Sequence, residues 1–425
     1  MLKLELFIME IEKKLCVILF SLISLQSNAQ ILTVRQQQDD IDSLYSKIET
    51  VMPYPFRYIK RGQFVHMVDS LKKSITSSNA TSKFYLNIAQ LFAMLKNGHL
   101  YIEIPINERL KYTNEGGKIM PVRLYLDHGN LIVNFPYRDC GIARGDTITS
   151  INDVCSNEIV KKLYSLQGSE INNDLKDKGM EQYITPLLWY IYGWGDEYKF
   201  RIKNHGYIKT IYASGVPNQE AIKMINTHKA TNRDFRVDYL DKDSAIMTIP
   251  NFYQTKELSV FCDSVFKQLR DKKIKLLYIN VRDNLGGKSS NVELLLSYLR
   301  HPAYDSFRKV IIRVSKETII YYKRMDQDIY NEIKDLPNGK FFELKSDKTK
   351  SNKHNSNIFK GKVIVLANYR TYSAASYFVH MIAKHHIGNV IGTTGCPSVC
   401  SGNPIQYSLP NSHLNCYIPT GLFCE

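Results

Sequence analysis

Residues 278–299 read YINVRDNLGGKSSNVELLLSYL. An apolar, strand-like run enters a glycine pair, Gly286–Gly287, and a helix-like run leaves it. The embedded Gly-Gly-Lys-Ser raises the possibility of a phosphate loop, whose pattern needs a first glycine five positions before Gly287. That position holds Arg282, a poor residue for a tight turn around a phosphate. Lys288 then reads as a solvated residue of the first helical turn. A glycine pair between strand and helix still frees backbone N–H groups to point at a ligand, and the rest of the chain says which one.

Around this stretch, from about residue 236 onward, strands alternate with helices. SAIMTIPNF (244–252) is strand-like, KELSVFCDSVFKQLRDKK (256–273) is an amphipathic helix, and IKLLYINVR (274–282) is a buried strand. GKVIVLANYRTYSAASYFVHMIAKHH (361–386) reads as strand, turn and helix, and NVIGTT (389–394) as a short strand. The alternation argues for an α/β core over 216–425, with ligands at the carboxyl ends of its strands.

Residues 116–215 read as a β-rich domain. GKIMPVRLYLDHGNLIVNF (117–135) is a hairpin with His128-Gly129-Asn130 at its tip. GIARGDTITSINDVCSNEIVKKLYSL (141–166) resembles the carboxylate-binding half of a PDZ domain, although no Gly-Leu-Gly-Phe-type loop is visible. Such modules capture peptide ends by strand addition. Residues 30–115 form an N-terminal helical region, with apolar residues three and four apart in DDIDSLYSKIETVM (39–52) and SKFYLNIAQLFAMLKNG (82–98). The second run stops at Gly98, and HLYIEIPI (99–106) alternates like a strand, so His99 stands at a helix-to-strand junction.

The chain has 425 residues, enough for two or three domains, and a 44% apolar fraction that supports a sizeable core. Its net charge of +15 is spread over scattered lysines rather than basic runs, which speaks against nucleic acid. KKLCVILFSLISLQSNAQ (13–30) has the layout of a secretory signal peptide, residues 1–29, cleaved after Ala29, with Met9 as an alternative start. Its apolar stretch is short for a membrane span. The expectation is an exported protein, periplasmic or extracellular, with no stable membrane span. Of eight cysteines, seven remain after cleavage. Cys140–Cys155 and pairs among Cys396, Cys400, Cys416 and Cys424 are open options for disulfides. Cys396 and Cys400 lack a second Cys/His pair at finger spacing, so no metal is assigned.

Ser373 lies between strand KVIVLAN (362–368) and helix AASYFVHMIA (374–383). It reads either as a helix N-cap or as a nucleophile among free N–H groups. A hydroxyl nucleophile needs a base for its proton and N–H donors for the tetrahedral oxyanion. His99 and the glycine loop are candidates for those parts.

In the order AMLKNGHLYIEIP, a PDZ-like segment, YINVRDNLGG, TYSAASYF and VIGTTG, the sequence resembles the C-terminal-processing and tricorn-type serine peptidases, also called tail-specific proteases. The match runs from about residue 40 onward. The resemblance implies a ClpP/crotonase-like α/β catalytic core with an N-terminal helical segment and an inserted PDZ-like domain. It places the nucleophile on Ser373 and an oxyanion hole on the Gly286–Gly287 loop and Ala374. Asn280 stands where the family has an aspartate, and Ser376 where it has an acid or a small residue. After Ser373 the only lysine is Lys384, too soon for a Ser–Lys dyad, whereas Asn-Gly-His at 97–99 matches the Ser–His type and makes His99 the general base. His380, His385, His386 and His413 are rival bases. The family's acidic member falls near the C-terminus, where Glu425 is the one carboxylate after Ser373.

The expected function is an exported serine endopeptidase acting on polypeptides, bound by their C-termini on the PDZ-like domain, with no cofactor. A catalytically inactive peptide-binding homologue of the same fold, and a hydrolase of non-peptide esters using the same Ser–His pair, are the competing readings.

Overall fold

The computed structural model describes residues 30–170, 177, 180–204, 206–228, 234–299, 304–305, 309–345, 348–349 and 357–424. Residues 1–29, read above as a signal peptide, and Glu425 lie outside them. The fold is mixed α/β.

The centre of the C-terminal half is a five-stranded sheet in the order Arg236–Tyr239, Ser244–Thr248, Leu276–Asn280, Lys362–Leu366, Asn389–Ile391. The first strand is antiparallel to its neighbour and the other pairs are parallel. Parallel strands need crossovers, and the helices Thr255–Asp271, Ser289–Leu296 and Ala374–Lys384 supply them. These helices and the sheet bury one apolar cluster around Phe252, Phe266, Leu277, Ile279, Val365 and Phe378. Burial of that kind contributes roughly 25 cal/mol per Å² of apolar surface.

A second, antiparallel sheet runs Phe341–Lys345, Lys309–Arg313, Asn415–Cys424, Val399–Ser408. Its long C-terminal hairpin turns at 409–414, where Leu409 N–H donates to Leu414 O and His413 takes φ 57°. The short strand Tyr101–Ile102 adds to its edge, pairing with Tyr417 and Cys416. That pairing brings the loop after the third N-terminal helix against the C-terminal hairpin.

The N-terminal helices are Val34–Val51, Arg61–Ser74 and Thr81–Met94. Thr33 opens the first with a capping box. The third ends at Met94, four residues before Gly98, and Asn97–His99 follow in an irregular loop. The β-rich segment forms a six-stranded antiparallel sheet, Tyr207–Ser214, Glu197–Asn204, Thr147–Ile151, Asn130–Pro136, Val122–Asp127, with Val154–Cys155 on its side. His128 and Gly129 both take positive φ at the first hairpin tip, the mirror-image turn that matches strand twist. A continuous core joins the N-terminal helices, this sheet and the C-terminal hairpin through Phe84, Phe92, Leu126, Phe200, Leu409 and Ile418.

None of the seven described cysteines is in a disulfide, so none of the expected pairings is formed among the described residues. Cys416 is buried against Leu414 O, and Cys396 and Cys400 stop at 3.0 Å between sulfurs, beyond the ~2.05 Å of a bond.

Candidate active site

Two strand-to-helix junctions of the parallel sheet meet at their carboxyl ends. Backbone and side-chain hydrogen bonds fasten the two loops. Tyr372 N–H donates to Asn284 O at 2.9 Å, Thr371 Oγ1 to Val281 O at 2.9 Å, and Asp283 N–H to Asn368 Oδ1 at 3.0 Å. Gly286 sits against the second loop so closely that a Cβ there would lie 2.8 Å from Ser373 Cβ and 2.9 Å from Ala374 N. A Cβ on Gly287 would lie 2.3 Å from the Phe252 carbonyl carbon. Close approach of backbone to backbone, with φ of 101° and 143°, is the physical reason for the glycine pair.

Asn284 is fully buried and organises this corner. Its Nδ2 donates to Ile249 O, and its Oδ1 accepts the Gly286 N–H at 2.8 Å. The Gly286 donor is therefore spent, which corrects its assignment to an oxyanion hole. The Gly287 and Ala374 N–H groups find no acceptor among the described residues, as befits a helix start. At position 280 asparagine serves without a charge: its Oδ1 accepts from both Arg282 N and Nε.

Ser373 takes φ 53° and ψ −125°, a strained conformation for a residue with a side chain. Such strain costs about 1–3 kcal/mol and concentrates at functional sites. Ser373 holds the N-cap position, its carbonyl accepting the Tyr377 N–H, but its hydroxyl makes no capping bond to the helix that follows. Its N–H points at Cys396 Sγ, 3.3 Å away. Ser373, Gly287, Ala374, Tyr377, Cys396 and Cys400 line a cavity of about 60 Å³. A roomier cavity of about 650 Å³, lined by Tyr54, Arg57, Arg61, Arg313 and Phe341, contains none of these residues.

His99 arrives from the other half of the chain. The Tyr101–Ile102 pairing anchors its loop, Asn97 Oδ1 accepts its N–H at 3.0 Å, and Asn97 Nδ2 donates to Ser401 Oγ at 2.8 Å. Its ring stacks on Tyr372, the neighbour of Ser373, with centroids 4.7 Å apart. Nδ1 is 3.0 Å from the Tyr372 hydroxyl, and Nε2 is buried with no partner among the described residues. Burial drives the His99 pKa down to about 4, so the ring is neutral near pH 7. Among the described residues no hydrogen bond joins His99 to Ser373.

Glu170 accepts the Gly98 N–H at 2.9 Å, and burial raises its pKa. This carboxylate, 72 positions from Gly98, carried no signal in the sequence. Tyr372 was likewise missed. Burial first, then the charges of Glu170, Cys396 and Cys400, raise its pKa and keep the phenol protonated. Among the rival bases, His380 contacts Thr394 at 3.3 Å and His413 stands in the C-terminal hairpin turn. Glu425 lies outside the described residues.

Known proteins fall in line with this geometry. The model of peptidase family S41 matches residues 243–407. No curated protein sequence matches the chain. Among solved structures, mature CPAF shares 10% identity at a TM-score of 0.61, over 92% of this chain and 89% of that one. Mature CPAF complexed with lactacystin gives 11% identity and a TM-score of 0.61, over 92% and 90%. At such identity the likeness is one of fold. Residues 243–407, which hold the glycine pair and Ser373, are thus similar to peptidase family S41, and this similarity supports a serine-type peptidase.

Proposed function

We propose that the chain is an exported serine endopeptidase in which Ser373 is the nucleophile and His99 the general base. Ser373 Oγ attacks the scissile carbonyl carbon, and its proton passes to His99 Nε2. Gly287 and Ala374 N–H groups hold the oxyanion. His99 returns the proton to the departing amine, leaving an acyl-enzyme. Water then attacks the ester, with His99 again taking a proton, and Ser373 is regenerated. The observation that carries this reading is the strained Ser373, its hydroxyl unspent, pressed against the glycine pair, with His99 stacked on the adjacent Tyr372.

With Nδ1–H donating to the Tyr372 oxygen, Nε2 is the nitrogen left to accept a proton. Tyr372 thereby helps to orient the ring, in addition to the triad's acidic member. Glu425 remains the proposed acidic member by position. The substrate is a polypeptide, with residues 116–215 acting as a PDZ-like module for its C-terminal end and residues 216–425 as a ClpP/crotonase-like core. No described helix is long and apolar enough to cross a membrane, which fits the proposed export.

A second reading, a binding protein that keeps the fold without catalysis, is favoured by the missing His99–Ser373 hydrogen bond. Turnover separates the two. The mature chain, residues 30–425, is incubated with an unfolded polypeptide and with small esters, beside Ser373→Ala. Cleavage of the polypeptide by wild type alone supports the peptidase. Binding without cleavage supports the second reading, and turnover of esters alone supports an esterase.

A further inference from the structure

The sequence set a metal aside because Cys396 and Cys400 have no partner pair at finger spacing. The fold supplies a third ligand from three hundred residues away. One donor atom each of His99, Cys396 and Cys400 lies within 4.8 Å of the others. The two sulfurs are 3.0 Å apart, and Cys400 Sγ is 3.8 Å from His99 Nδ1. A tetrahedral zinc with ~2.3 Å Zn–S and ~2.0–2.1 Å Zn–N bonds has ligand-to-ligand edges of about 3.6–3.8 Å. The Cys400–His99 edge already has that length, the Cys396–His99 edge lies within 4.8 Å, and the S–S edge needs to open by less than about 1 Å.

We propose that His99, Cys396 and Cys400 form a binding site for a thiophilic divalent cation of the zinc class, and that filling it silences the peptidase. Two thiolates and one imidazole suit a soft or borderline ion and disfavour magnesium or calcium. Three protein ligands leave a fourth position for water or the nearby Tyr372 hydroxyl. The Ser373 N–H, already aimed at Cys396 Sγ, would steady that thiolate from behind the ligand set. The binding step is balanced by release of two thiol protons to solvent; no redox partner is needed. A neutral imidazole has one nitrogen lone pair. Once the cation takes it, the other nitrogen carries the proton, and His99 can no longer deprotonate Ser373. The silencing half rests on the assignment of His99 as base, whereas the binding half rests on geometry alone.

The test uses the mature full chain, reduced until all seven thiols titrate, then freed of reductant and loaded with cobalt(II) as a spectroscopic substitute for zinc. The expected result is one cobalt per chain with thiolate-to-cobalt charge-transfer absorption. That absorption should vanish in Cys400→Ser and Cys396→Ala and persist in Ser373→Ala and in Cys155→Ala, a control at an exposed thiol elsewhere. Circular dichroism checks each fold, and half-buried Cys400 keeps the test alive if the buried Cys396 variant fails to fold. No charge-transfer band in reduced wild type, a band surviving Cys400→Ser, or a Cys396–Cys400 disulfide that resists reduction would each overturn the site. In the activity arm, zinc should lower peptide cleavage by tenfold or more at saturation, with a chelator restoring it; full activity with the site loaded overturns the silencing. A metal-free chain that never cleaves peptide defeats the peptidase reading instead, and the cobalt result still decides the site.

Discussion

The two halves of the site are built in opposite ways. The nucleophile half is local: two neighbouring strands of one parallel sheet, Leu276–Asn280 and Lys362–Leu366, each end in a short loop, and those loops lock onto each other. The base half is assembled across the chain: His99 depends on Asn97 reaching Ser401 and on Tyr101 pairing with Tyr417. The first half stands on a packed α/β core. The second stands on a hairpin edge and a buried polar contact. In the proposed mechanism the nucleophile is placed by local packing, and the placement of the base depends on long-range pairing.

Perturbing each half should expose the difference. The largest effect is expected from Ser373→Ala, which removes the attacking atom and should lower kcat/KM by at least about 10⁴-fold while leaving the unfolding midpoint little changed; progress curves on a quenched peptide measure it. Gly286→Ala comes next. Its Cβ would collide with Ser373 Cβ at a φ of 101°, so displacement of the proposed nucleophile should lower peptide cleavage about 10²-fold, with unfolding showing a cost of about 1–3 kcal/mol.

Acid should act on the base half. The unfolded His99 titrates near 6.5 and the folded one near 4. Between those values the unfolded chain binds the proton that the folded chain refuses. The stability tied to this residue is therefore present above about pH 6.5 and is lost as pH falls toward about 4. The wild-type unfolding free energy minus that of His99→Gln, followed by urea denaturation from pH 7.5 to 4, should drop by on the order of 3 kcal/mol. In the same account the acid limb of kcat/KM falls near pH 4 rather than near 6.5, because the base must be neutral.

Asn97→Ala should strip the His99 N–H and Ser401 of their partner, costing about 1–3 kcal/mol by denaturation and lowering activity through misplacement of the base. The mildest change is Tyr372→Phe. It keeps the stacking and removes the Nδ1 contact together with the hydroxyl's hydrogen bond to Cys396, so about 1 kcal/mol, or a severalfold loss in kcat, is expected from steady-state kinetics. If Asn97→Ala left activity intact while Gly286→Ala destroyed it, the dependence of the base on long-range pairing would be wrong.

The same contrast governs what the sequence could show. The strand–glycine–helix of 278–299 and the strand–Ser373–helix of 361–386 are local patterns, and both are present as read. Residues 117–135 and 197–214 form the expected hairpins, although the helix Asn218–His228 gave no warning. The C-terminal hairpin was overlooked, yet the alternation in PIQYS (404–408) and CYIPT (416–420) flanks a turn at Pro410–Asn411 and could have revealed it. Its pairing with Tyr101–Ile102 is not a property of any window, and neither is the meeting of His99 with Tyr372, Cys400 or Glu170. Spending of the Gly286 N–H on Asn284 depends on peptide orientation, which residue type does not encode.

The most direct test of the central claim is fluorophosphonate labelling of the mature chain, metal-free and reduced, with Ser373→Ala and His99→Ala beside wild type and the adduct mapped by mass spectrometry. The account predicts a single adduct on Ser373 that is lost in Ser373→Ala and strongly slowed in His99→Ala. A folded wild-type chain that takes no label, or one labelled as fast without His99, would contradict it.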